Sequence, residues 1–191
     1  MGFFAGMMWL GPAADFFSVL MTGQNLPDEK IYAVLTFMWV LPLLVVTMFV
    51  GGELMLEKKN KYILVSLSAI IGIIFELFLF MDLNAAVKDC ADPNGAELYD
   101  TSIEIGHQTF YLIAIGLGLL FVFVVIGGYR QGLRTTGILR KRFFYMATAI
   151  LLFIPIAIVD AFFEPVLFVL AMRFLMVFVG GLLYFSLKIR F

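Results

Sequence analysis

The run YRQGLRTTGILRKR, Tyr129 to Arg142, decides how the rest of the chain is read. It carries Arg130, Arg134, Arg140, Lys141 and Arg142 and no acid, and a long apolar run lies on either side of it. Lysine and arginine collect in the cytoplasmic connections of membrane proteins. Two apolar runs joined by such a stretch therefore read as two spans with a cytoplasmic link.

Composition agrees. Of 191 residues, 63% are hydrophobic and 16% aromatic. A soluble fold of this length cannot hide so much apolar surface, so the solvent is lipid. The 13 basic and 14 acidic residues nearly cancel, which points to no polyanionic partner and no nucleic acid. A single cysteine, Cys90, excludes an internal disulfide, and a single histidine, His107, excludes a multi-histidine metal centre. No metal or cofactor is expected. No Gly-x-Ser-x-Gly nucleophile motif is present, so an enzyme is not expected either. The only lysine of the last apolar segment, Lys188, stands at its end, which excludes a retinal-type photoreceptor.

A spanning helix needs about 20 mostly apolar residues. Six segments qualify, at about 3–21, 31–52, 62–82, 104–129, 143–163 and 166–188. The expected fold is an all-α membrane protein, a bundle of six transmembrane helices forming one domain over residues 1–191. Gly23 suits the end of the first segment. Pro27, Asp28 and Glu29 suit the start of the second, where acids meet the helix dipole. Thr101 and Glu104 match a capping box that would start the fourth segment, and Pro165 suits the start of the sixth. Pro12, Pro42 and Pro155 fall inside segments and are expected to kink them.

Ten basic residues fall on one side of this topology: Lys58, Lys59 and Lys61, the five of the central stretch, Lys188 and Arg190. The other side carries only Lys30 and Lys88, and Arg173 lies within the sixth segment. Both termini are then cytoplasmic, in a cell-membrane protein, and the segment from Leu83 to Ile103 is external. The first segment begins close to Met1 with no basic flank. Pro12 and Asp15 argue against a signal peptide, and whether a first helix is missing upstream stays open. Paired glycines at Gly51–Gly52, Gly127–Gly128 and Gly180–Gly181 suggest either a faint hairpin repeat or close helix packing.

Charges within hydrocarbon are costly and usually functional. Asp15, Glu76, Asp160 and Arg173 qualify, all in the outer half. Glu76 stands about 9 Å deep, counted at 1.5 Å per residue. Helical spacing aligns Gly11, Asp15, Ser18 and Thr22 on the first segment and Tyr32, Thr36 and Trp39 on the second. On the third it aligns Ala69, Gly72 and Glu76, and on the fourth His107, Tyr111, Ala114 and Gly118. These stripes are expected to line one cavity, with Asp15, Glu76, His107, Tyr111, Asp160 and Arg173 as candidate ligand-binding residues. Three carboxylates against one arginine call for a shared proton, a cation or an amine ligand. The bland alternatives are an Arg173–Asp160 or Arg173–Glu76 pair that sets helix register, and a structural His107. The acidic run from Asp89 to Glu97 lacks EF-hand spacing and reads as a solvated turn.

The hairpin from Gly137 to Arg173 combines GILRKRF, an apolar helix, DAFFEP at Asp160–Pro165 and a following arginine. It resembles the seven-helix membrane sensor region at the N-terminus of some prokaryotic histidine kinases and related receptors. The resemblance implies an external signal read within the membrane and passed to a cytoplasmic partner, here meeting the chain at Arg130–Arg142. Six segments in place of seven and the lack of an attached output domain depart from that pattern. The expected function is a sensor or receptor-like module for a small ligand or proton. A proton-coupled transporter and a structural subunit are the alternatives; the oligomeric state is open.

Overall fold

The computed structural model describes residues 2–89, 101–162 and 166–188, excluding the side chains of residues 2, 88, 89, 101, 102, 160–162, 166–170, 172, 173 and 187. Among the described residues the helices are α1 (Gly2–Met7), α2 (Leu10–Thr22), α3 (Glu29–Phe37), α4 (Val40–Met55), α5 (Lys58–Met81), α6 (Leu83–Ala86), α7 (Gln108–Leu120), α8 (Gly127–Arg134), α9 (Gly137–Phe162) and α10 (Val166–Lys188). A π-helical turn, Phe121–Ile126, joins α7 to α8. Strands β1 (Val87–Asp89) and β2 (Thr101–Ile103) form an antiparallel ladder.

Five stretches are long and apolar enough to cross a membrane: Phe3–Thr22, Glu29–Met55, Lys58–Met81, Gln108–Arg134 and Gly137–Val159. The chain is a helical membrane protein. Within α10 the described apolar stretch is shorter, Phe174–Ser186.

The proline effects differ from expectation. The first span is interrupted at Met8–Trp9 and the second at Met38–Trp39, each between two helices. Both interruptions read Met-Trp-x-x-Pro, with Pro12 and Pro42 in the first turn of the helix that follows. Proline brings no N–H to the carbonyl four residues back and its ring crowds that carbonyl. The carbonyls of Met8 and Met38 lose their helical donors, and the chain restarts its helix at Leu10 and Val40. Pro155, by contrast, lies inside α9, which continues through it.

Helix ends also moved. The predicted capping box at Thr101–Glu104 does not form, because Thr101–Ile103 pairs with Val87–Asp89 and the Glu104 N–H donates to the Ala86 carbonyl at 3.0 Å. The ladder takes the backbone groups that a helix start would need. The helix begins instead at Gln108. On the basic side, α5 starts at Lys58, α8 runs to Arg134 and α9 starts at Gly137. The link between α8 and α9 shrinks to Thr135–Thr136, and Arg140, Lys141 and Arg142 ride on a helix rather than a loop. Gly137, at φ 64°, makes the sharp entry. Predicted ends hold at Gly23, where φ is 72° and the N–H donates to the Val19 carbonyl. They hold also at Asp28, whose carboxylate accepts from the Lys30 N–H at 2.9 Å. Pro165 lies outside the described residues.

The chain divides into two compact units, and α4, α5 and α7 contribute to both. The first combines Phe3–Leu44 with Ala69–Ala114, the second Val45–Ser68 with Ile115–Phe191. In the first, Ala33, Phe37, Phe75, Leu79, Ala86, Val87 and Ile103 form one buried cluster. Gly72 on α5 meets Leu41: a Cβ there would stand 3.2 Å from the Leu41 Cα. In the second, Gly51 meets Phe123 and Val124 of the π-helical turn, Gly127 meets Leu54 and Met55, and Gly128 meets Ala147. Glycine lets these helix backbones approach closely. Among the described residues nothing lies within 4 Å of a Cβ built at Gly180 or Gly181, so there the third glycine pair does not repeat the packing of the first two.

Candidate functional site

Asp15 is the most buried of the predicted site residues whose side chains are described. It is fully enclosed, and its carboxylate accepts from the Asn25 side-chain amide at 3.0 Å and from the Leu26 N–H at 2.9 Å. It ties the α2–α3 connection to α2. Ser18 and Thr22, on the same face, donate to the Gln24 carbonyl at 3.0 and 3.2 Å. The polar stripe of the first span therefore organises its own turn. Its small end meets the second span: a Cβ at Gly11 would run into the Thr36 Oγ1 and stand 2.6 Å from the Tyr32 carbonyl.

His107 caps α7. Its Nδ1 accepts from the Thr109 N–H at 3.4 Å and lies 2.8 Å from the Thr109 hydroxyl. With Nδ1 taken as the acceptor, the hydroxyl donates to it and the neutral ring carries its proton on Nε2. Tyr111 is 59% exposed and lies edge-on to Phe110 at 5.8 Å. Three of the four residues of the predicted stripe on this span turn outward, since Ala114 and Gly118 are exposed too, while His107 is half-buried. The buried side of α7 carries Thr109, Gly116 and Leu120. A helix in lipid gains nothing by hiding its more polar face when the outer face suits the interface, where tyrosine is favoured. The side chains of Asp160 and Arg173, and the acidic run with Cys90, lie outside the described residues.

What the first unit does bring together is centred on the two helix interruptions. Gly11 on Tyr32 and Thr36 holds α2 against α3 on one side of them. On the other, the Phe3 and Phe4 rings stand 6.5 and 6.3 Å from the Trp39 ring. The Trp39 indole Nε1 is buried and has no hydrogen-bond partner among the described residues. A buried donor without an acceptor is costly, more so in lipid, where no water substitutes. Glu76 is half-buried on α5. It sits one turn past Gly72, which meets Leu41, and directly after Phe75, which shares the buried cluster with Phe37. Glu76 therefore lies on the turn of α5 level with the Met38–Trp39 interruption.

The Met-Trp-x-x-Pro pair was available in the sequence, as two copies 30 residues apart. Treating each proline as a local kink hides it. Lys61, counted only as a basic flank, is also more than that. Its side chain is 7% exposed, pairs with Glu53 and stands 4.3 Å from the Phe49 ring centre. Among the described residues no group of three or more His, Cys, Asp or Glu is placed to hold a metal.

No family model, no curated protein and no solved structure matches this chain.

Proposed function

We propose that the protein is a six-span sensor or receptor-like module of the cell membrane, with both termini cytoplasmic, which binds a small polar ligand at the paired helix interruptions. The observation that carries this is the buried Trp39 Nε1, which has no acceptor among the described residues, at the Met38–Trp39 interruption and level with the turn of α5 that carries Glu76. An interrupted spanning helix exposes backbone polarity where lipid cannot satisfy it, and such irregular backbone usually lines a protein cavity or a bound molecule. The ligand supplies an acceptor to the indole N–H, and Glu76 supplies the opposite polarity. The two restarted helices give the first unit a place to bend. A cytoplasmic partner meeting the Arg130–Arg142 hairpin then reads the change, in the manner of the sensor regions this chain resembles.

Interrupted helices are also how many secondary transporters build a substrate site. The same geometry therefore favours a small proton-coupled carrier as the second reading, with Glu76 as the coupling carboxyl.

Tryptophan emission tests the site directly, because Trp9 and Trp39 are the only tryptophans. In Trp9→Phe protein, Trp39 reports alone. A panel of amines, amino acids and small anions is titrated in nanodiscs. A saturable change in emission that Glu76→Gln weakens at least tenfold supports the site. A panel that moves neither emission nor thermal unfolding refutes it. Flux of the hit into proteoliposomes then marks a carrier, and binding without flux marks a sensor.

A further inference from the structure

We propose that the α8–α9 hairpin is a binding surface for anionic phospholipid headgroups. Its geometry goes beyond what topology alone requires. Arg130 and Arg134 on α8 and Arg140 and Lys141 on α9 are all exposed, and the run from Tyr129 to Arg142 holds no acid. The two-residue link brings the four cations to one end of the hairpin. They are not on floppy loops: Gly128 and Gly132 let α8 lie directly on Ala147, Phe143 and Phe144 of α9. Tyr129 reinforces this, hydrogen-bonding to the Thr148 hydroxyl at 3.0 Å and packing on the Phe144 ring at 5.5 Å. The backbone that carries the cations is therefore set before any ligand arrives.

Two details favour lipid over a soluble acidic partner as the occupant of these four cations; the cytoplasmic partner proposed above then reads the hairpin's position rather than pairing with its cations. Leu133 is 70% exposed and Leu139 is 43% exposed, each directly beside an arginine. Bare leucines among cations suit the boundary between headgroup and acyl chain, which takes both kinds of side chain. The Arg140 guanidinium lies 5.6 Å from the centre of the Phe144 ring. Stacking occupies a guanidinium face and leaves its donor edge for a phosphate. Both spans that enter this hairpin are long and apolar, so its polar end falls at headgroup level. Clustered cations there attract anionic lipid and lose that attraction as salt screens them.

The test is lipid retention by the full chain, purified from micelles containing equal parts phosphatidylglycerol and phosphatidylcholine and read by mass spectrometry. Wild type is expected to retain phosphatidylglycerol preferentially, and the preference is expected to shrink with added salt. Arg134→Gln and Lys141→Gln are each expected to lower it by roughly fivefold at low salt, and together to abolish it. These side chains are exposed, so the fold should survive; unchanged circular dichroism and thermal unfolding confirm that. Lys58→Gln with Lys59→Gln removes two cations at the start of α5 and should leave the preference intact. No preference in wild type, an undiminished preference in the hairpin variants, or equal losses in both double variants would overturn the assignment.

Discussion

The two units are built by different means. In the first, acids and hydroxyls tie connections to helix ends. Asp15 holds the α2–α3 turn, Asp28 opens α3, Asp82 accepts from the Ala85 N–H at 3.3 Å to open α6, and His107 opens α7. In the second, glycine brings backbones together and the links between helices nearly vanish, at Leu56–Glu57 and Thr135–Thr136. Lys58, Lys59, Arg130, Arg134, Arg140 and Lys141 face outward, whereas Lys61 is buried against Glu53. Close glycine contacts occur in both units, at Gly11 and Gly72 in the first and at Gly51, Gly127 and Gly128 in the second, but the acid caps belong to the first.

This contrast breaks first at Asp15. Asp15→Ala leaves the Asn25 amide and the Leu26 N–H without their acceptor and should cost roughly 3 kcal/mol. Thermal unfolding in nanodiscs measures it; a loss below about 1 kcal/mol would mean the connection is not held by its acid. In the second unit, Gly51→Ala puts a Cβ 2.8 Å from the Phe123 Cβ. Overpacking there should cost about 2 kcal/mol, whereas Gly180→Ala, which meets nothing among the described residues, should stay within about 0.5 kcal/mol. Equal effects would remove close approach as the reason for the glycine pairs.

Smaller effects sharpen the picture. Gln131 donates to the Leu54 carbonyl at 2.7 Å, and Gln131→Ala should cost about 1 kcal/mol by the same unfolding assay. Glu53→Gln should cost only about 0.5 kcal/mol, because Glu53 is 57% exposed and water screens its pair with Lys61. A double-mutant cycle with Lys61→Met isolates that pair.

Much of the architecture is legible in residue order because hydrocarbon leaves few choices. Apolar length picks out five of the six expected spans, and glycine or acid at the ends marks Gly23 and Asp28. The candidate site is less legible, for three physical reasons. Polarity alone does not say which way a helix face points in lipid, so the Tyr111 stripe reads inward and lies outward. A buried acid reads the same whether it awaits a ligand or, like Asp15, satisfies a turn. A proline in the first turn after an interruption looks like one inside a kink, so the paired Met-Trp-x-x-Pro interruptions emerge only when Leu10 and Val40 are seen to restart their helices. The short ladder of Val87–Asp89 with Thr101–Ile103 escaped because its partners lie far apart in sequence and each is three residues long.

The sidedness of the basic residues underlies the whole functional reading, and Cys90 reports on it without any substitution. A membrane-impermeant maleimide is added to intact cells and, separately, to lysed ones. If the Arg130–Arg142 hairpin is cytoplasmic, Cys90 is external and labels fully in intact cells. Labelling only after lysis would place the acidic connection inside, turn the hairpin outward and contradict both the sensor reading and its cytoplasmic partner.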